Sequence, residues 1–177
     1  MGQPFNPRHF RDALGRFASG VTVITAYSQE QPHGMTANAF VSVSLDPPLV
    51  LVSVDNRSHM HGILAGVGRY GVSVLSEDQE VLSNHFAGRP VPGLDVRFIA
   101  YDGIPLLEGA VAHFVVQVID AHPAGDHTLY IGRVEHFESR EDRPLLFYSG
   151  RYRRLGSEMP KPSQWPEDDF SLFSIGF

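Results

Sequence analysis

Four short stretches carry the residue types from which a binding or catalytic site could be built. Residues 66–71, Gly-Val-Gly-Arg-Tyr-Gly, match the G-x-G-x-x-G pattern. That pattern cradles a dinucleotide pyrophosphate when a strand precedes it and a helix follows. Here the order is reversed, with a helical stretch leading into Gly66 and a strand-like one leaving Gly71. A helix C-terminus has the wrong partial charge for phosphate, and glycine there has a plain use as a left-handed terminator. The match is an accident.

A better anion site lies just upstream in Pro-Leu-Val-Leu-Val-Ser-Val-Asp-Asn-Arg-Ser-His-Met-His-Gly (48–62). An apolar strand runs through a short polar turn into a helix, the join that exposes free N–H groups and the positive end of the dipole. Ser53, Arg57 and Ser58 would add hydroxyl groups and charge to a bound phosphate; the plainer use of Ser58 is to cap its own helix. In His-Gly-Met-Thr-Ala-Asn-Ala-Phe (33–40) the small polar run Thr36, Ala37, Asn38 permits close approach of a flat ligand. Asn38 offers a donor and an acceptor together, which suits an imide edge, although an exposed strand start would look the same. The fourth stretch is Gly-Asp-His-Thr-Leu-Tyr-Ile-Gly-Arg-Val (125–134), a turn that leads a histidine into a strand. A turn histidine is commonly a solvated side chain; over a cofactor, His127 could hydrogen-bond a carboxamide or shuttle a proton.

The chain has no cysteine, so disulfides, thiolate nucleophiles and thiolate metal sites are excluded. His59 and His61 stand two apart in a helical stretch and do not share a face, so no metal site is expected.

These segments need a scaffold. Asn6-Pro7 reads as a cap and first-turn proline, with Phe10, Ala13, Leu14 and Phe17 at helical spacing, so a helix is expected over about 7–18. Strands are expected at 20–27, 35–45 and 48–54, with a hairpin turn at 28–34, and 48–54 is apolar enough to be buried on both faces. A short helix from Ser58 to about Ala65 leads to a strand at 70–75. Ser76-x-x-Gln79 reads as a capping box opening a helix at about 77–87, with Val81, Leu82 and Phe86 on one side. Residues 88–109 read as a long loop with short extended pieces, and strands return at 110–121, 127–138 and 144–150. The expected class is mainly β, a barrel with about three peripheral helices, in one domain over 5–155. The extension 156–177 reads either as a mobile arm or, through its late Phe and Leu residues, as a segment that docks on a partner subunit.

Twenty acidic against 14 basic side chains give a net charge of −6. With Arg-Tyr-Arg-Arg (151–154) as the one dense basic spot, nucleic acid and anionic membranes are poor partners. The N-terminus lacks the apolar core of a signal peptide, and the composition reads as a soluble cytoplasmic protein.

Taken together, 17–25, 33–54, Leu-Ser-Asn-His-Phe-Ala-Gly (82–88), 125–134 and Leu-Leu-Phe-Tyr-Ser-Gly-Arg-Tyr-Arg-Arg-Leu (145–155) resemble the short-chain NAD(P)H:flavin oxidoreductases, the reductase components of two-component flavin monooxygenases. The resemblance implies a split β-barrel, dimeric, binding FMN or FAD near the dimer interface. It places Thr36, Ala37 and Asn38 at the isoalloxazine edge, and Ser53, Val54, Asp55 and Ser58 at the ribityl chain and phosphate. His85, Phe86 and Arg89 would lie near the phosphate or the adenosine of FAD. His127, with Tyr152, Tyr148 and Arg151, would place the nicotinamide. It further implies hydride transfer from the nicotinamide to the flavin, with reduced flavin passing to a separate monooxygenase. Phe86 and Arg89 beside a long loop favour FAD, and the scarcity of basic residues to meet a 2′-phosphate favours NADH. The competing reading is a flavin-binding electron-transfer module without nicotinamide turnover.

Overall fold

The computed structural model describes residues 5–159. Three helices and twelve strands follow one another along it: α1 (Pro7–Leu14), β1 (Ser19–Gly20), β2 (Thr22–Ser28), β3 (Gln31–Ala37), β4 (Phe40–Leu45), β5 (Pro48–Asp55), α2 (His59–Val67), β6 (Arg69–Val74), α3 (Glu80–Phe86), β7 (Phe98–Tyr101), β8 (Ile104–Leu107), β9 (Ala112–Ala124), β10 (His127–Ser139), β11 (Leu146–Tyr148) and β12 (Arg151–Arg153). The fold is mainly β.

Seven strands form one antiparallel sheet in the order β3-β2-β6-β9-β10-β5-β4. Its two outermost strands are neighbours in sequence, joined by Asn38 and Ala39 alone. The sheet must therefore curl until its edges meet at that corner, where Ser53 N–H donates to Ala39 O over 3.1 Å. Away from the corner β3 pairs with β2 only, and β5 pairs with β4 and β10. The barrel is open between its two edge strands, β3 and β4.

The inner core is built from alternate strand residues, Ile24, Ala26, Val50, Val52, Val54, Tyr70, Val72, Val116 and Tyr130, closed by Met60, Ile63 and Leu64 of α2. A second cluster on the outer face joins Val21, Val23 and Leu75 to Phe86 of α3 and to Phe147 and Tyr152 of the small β1-β11-β12 sheet.

Several expectations change. The first helix stops at Leu14, and its apolar residues stay open: Phe10 is 51% and Phe17 82% exposed. The hairpin turn is only Gln29-Glu30, both at positive φ, and β3 already begins at Gln31 because 31–37 pair in register with 22–28. The strand expected at 35–45 breaks at the corner into β3 and β4. Strand β5 buries Val50, Val52 and Val54, whereas Leu51 and Ser53 on its other face are only half-buried. Ser76 N–H does bond to Gln79 Oε1 (3.1 Å), but the helix opens later, at Glu80; Ser83, not Val81, is its buried residue. Residues 98–107 form a β-hairpin whose second strand is buried, Ile104 and Leu106 packing on Val115. Arg151–Arg153 form a strand of their own.

The glycines of 66–71 have ordinary explanations. Gly68 ends α2 in the left-handed conformation (φ 69°), and β6 follows it. A Cβ on Gly71 would lie 2.6 Å from Pro105 O and from Thr25 Oγ1, so that glycine lets β8 lie close over β6. Among the described residues, no helix is long and apolar enough to cross a membrane.

Candidate active site

The free edge of β3 runs between two helices. The start of α2 packs on one side, where the His33 and His59 rings meet edge to face at 4.6 Å. The end of α3 covers the other: Phe86 lies so close over Gly34 that a Cβ there would sit 2.6 Å from its ring. Together these form a cleft of about 450 Å³ lined by His33, Gly34, Ser58, His59, His85 and Phe86, among others. Main-chain N–H and C=O groups on the unpaired side of β3 are available to a ligand with alternating donors and acceptors along one edge.

Ser58 caps α2 by accepting from His61 N–H over 3.1 Å. The plainer sequence reading of Ser58 is therefore present, and it leaves the hydroxyl proton free to donate. The first-turn N–H groups of α2, which no earlier helical carbonyl can serve, open at the cleft. Burial, then the neighbouring His59, holds the His33 imidazole below its ordinary pKa. Arg57 is turned away from a phosphate role: it forks onto Asp55, with Nη2–Oδ2 2.8 Å and Nε–Oδ1 3.1 Å. These bonds hold the Asp55 carboxyl well below the usual carboxylate range.

The Gly-Asp-His turn is brought to the same end of β5, His127 standing opposite Asp55 across the β5–β10 ladder. Asn56 N–H donates to Asp126 O over 3.0 Å and ties the two turns. Asp126 Oδ1 lies 2.8 Å from His127 Nδ1, and that hydrogen bond lowers the Asp126 pKa. The imidazole is thus held through one nitrogen on a partly exposed side chain.

At the opposite end of the split, the Thr36 hydroxyl donates to Ser83 O (2.7 Å), and Ser83 Oγ lies 2.8 Å from Tyr152 Oη. Asn38 borders a second cavity of about 560 Å³ with Arg11, Arg16, Phe17, Phe147 and Ser149. Arg16, then Ser149, holds the Tyr148 phenol below its ordinary pKa.

The expected site residues thus fall into three groups: Ser58, His85 and Phe86 in the cleft; Asp55 and His127 at the paired turns; Thr36 and Tyr152 joined through Ser83. Ser53 sits beside the corner that Asn38 opens. Val54 and Ala37 have their side chains in the inner core and offer no side-chain contact to a ligand. Arg89 and Arg151 are exposed, and no contact joins His127 to Tyr152 among the described residues. The sequence reading assigned no role to Ser83, His33, Gly34 or His59. Nothing local marks Ser83, and His33 and Gly34 join β3 only through pairing with β2 across the short turn at 29–30.

A flavin fits this donor set: an unpaired strand edge for the imide side of a flat ring, a capped helix start for phosphate, and a Phe86-walled cleft beyond.

The comparisons agree with that fit. A family model described as a flavin reductase like domain matches residues 14–156. The chain belongs to this family. An NADH-dependent flavin reductase from Rhodococcus sp is 53% identical over 152 residues, covering 84% of this chain and 86% of the relative. The reductase component of 4-hydroxyphenylacetate 3-monooxygenase from Thermus thermophilus is 45% identical, covering 82% of this chain and 95% of its own. Among solved structures, the flavin reductase PheA2 superposes with a TM-score of 0.84 at 46% identity, covering 86% of this chain and all of the other. The NADH:FAD oxidoreductase SgcE6 of Streptomyces globisporus C-1027, in complex with NAD and FAD fragments, gives 0.82 at 37% identity over 90% of this chain and 100% of that one.

Proposed function

We propose that this chain is an NADH:flavin oxidoreductase that reduces FAD or FMN and releases it to a separate monooxygenase component. The observation that carries the reading is the unpaired edge of β3 beside the capped start of α2, with the Gly-Asp-His turn paired to the end of β5 that leads into that helix. The curated relatives named above support the same activity and the same kind of partner.

Bound flavin would supply the electron-accepting chemistry. The chain's part is to hold and orient. The β3 edge and Asn38 pair with the ring's polar rim, and Ser58 with the first turn of α2 meets the phosphate. His85, Phe86 and Arg89 border the space an adenosine half would need. His127, held by Asp126, and Tyr152, held by Ser83, orient the nicotinamide, with Tyr148 and Arg151 nearby on the β11–β12 hairpin. Two rings stacked at reacting distance gain most of their rate from proximity, so no single side chain is indispensable.

A homodimer belongs to this reading. Val41, Leu51 and Ile131 stand in one row across β4, β5 and β10 on the outer face. Val41 is 53% and nearby Ile119 46% exposed, an apolar patch that a second copy would cover.

Absorbance-monitored titration with FAD and FMN, followed by NADH under anaerobic conditions, tests the proposal. Bleaching of bound flavin is expected. Binding without bleaching would instead identify an electron-carrying module, and no binding would overturn both.

A further inference from the structure

We propose that Ser83 is a positioning residue that couples the flavin side of the site to the nicotinamide side. It is fully buried in the middle of α3. Its carbonyl oxygen accepts from Thr36 of β3 at 2.7 Å, and its hydroxyl meets Tyr152 of β12 at 2.8 Å. One residue thereby joins strands that lie 47 positions before it and 69 after it.

The chemistry at each contact is specific. Thr36 has one hydroxyl proton, and it is committed to the Ser83 carbonyl. What the Thr36 hydroxyl has left for the groove is acceptor lone pairs only, suited to a ring N–H and not to a ring carbonyl. Tyr152 packs beside Phe147, the rings 5.5 Å apart, and its hydroxyl is held at the Ser83 end. Without Ser83 Oγ the phenol keeps its apolar packing and loses the bond that fixes its polar tip. Replacing serine by alanine removes one oxygen and opens no cavity of consequence, so the effect belongs to orientation more than to packing.

The inference rests on the reading of Thr36 as flavin-facing and Tyr152 as nicotinamide-facing, and the test separates the two. Ser83→Ala, Tyr152→Phe and the double variant are compared with the parent chain for FAD dissociation constant, NADH KM and kcat, and thermal midpoint. Each single change is expected to raise the NADH KM about five- to tenfold, the worth of one hydrogen bond. The FAD dissociation constant should stay within about twofold. The double variant should be no worse than either single one, because both remove the same bond. Thr36→Val should instead weaken FAD binding. If Ser83→Ala fails to fold, Tyr152→Phe alone decides.

Unchanged KM in Ser83→Ala, or effects that multiply in the double variant, would overturn the inference. Tyr152→Ala marks the boundary with the underlying reading. If it raises KM while Ser83→Ala does not, the positioning role alone fails. If it leaves KM unchanged, the nicotinamide-side assignment fails and takes this inference with it.

Discussion

At the residue scale, the proposed orienting role of the histidine in the Gly-Asp-His turn carries a modest expected penalty. His127→Ala removes an orienting group while leaving β3, Ser58 and Asn38 in place. NADH KM should rise or flavin reduction slow by about tenfold, with flavin affinity retained; complete loss of turnover in a folded variant would contradict the orienting role. Arg57 gives a complementary case. It neutralises Asp55 beside the start of α2, so Arg57→Ala leaves a carboxylate whose pKa returns towards the ordinary range. Being ionised at neutral pH, it would repel a phosphate. Flavin affinity should fall a few-fold at low salt and recover as salt screens the charge. Lowering the pH through that range should relieve the repulsion in the variant alone, because in the parent chain the paired carboxyl stays ionised there. Flavin titrations at two ionic strengths and two pH values test both statements.

The element scale shows what could and could not be read in advance. The strands at 20–27 and 127–138, the helix after Ser58 and the reversed setting of 66–71 were legible because short-range pattern decides them. The start of β3 was not. Pro32, His33 and Gly34 are poor strand formers, and only pairing with Tyr27, Ala26 and Thr25 draws them into the sheet. The same non-local pairing decides which edge of β3 stays free, so the residues of the site were legible as pieces while their opening was not. Ser83 escaped notice because a buried serine in a short helix has no local signature. The glycine run offers a direct check. Gly66→Ala has open space and should leave NADH KM unchanged while stabilising the exposed helix by up to about 1 kcal/mol. Gly71→Ala should cost about 1–3 kcal/mol by pushing β8 off β6. Denaturant melts beside NADH saturation curves distinguish this from a pyrophosphate-binding role, which would have raised KM in both.

For the whole molecule, the row Val41, Leu51, Ile131 is the feature that a single chain leaves unfinished. Leu51→Lys puts a charge into its centre; on the proposed homodimer, sedimentation should show a dimer for the parent chain and a monomer for this variant. The strand order carries a further consequence. A sheet margin whose amides and carbonyls have no mate is as welcoming to a stray peptide as to a heterocycle. Pro32 blunts only the first part of that margin. Concentrated protein stripped of its yellow ligand should therefore scatter light over hours as margins zip together between molecules. Restoring the ligand should keep the solution clear, so that the vitamin-derived ring acts as a guardian against clumping as well as a reactant.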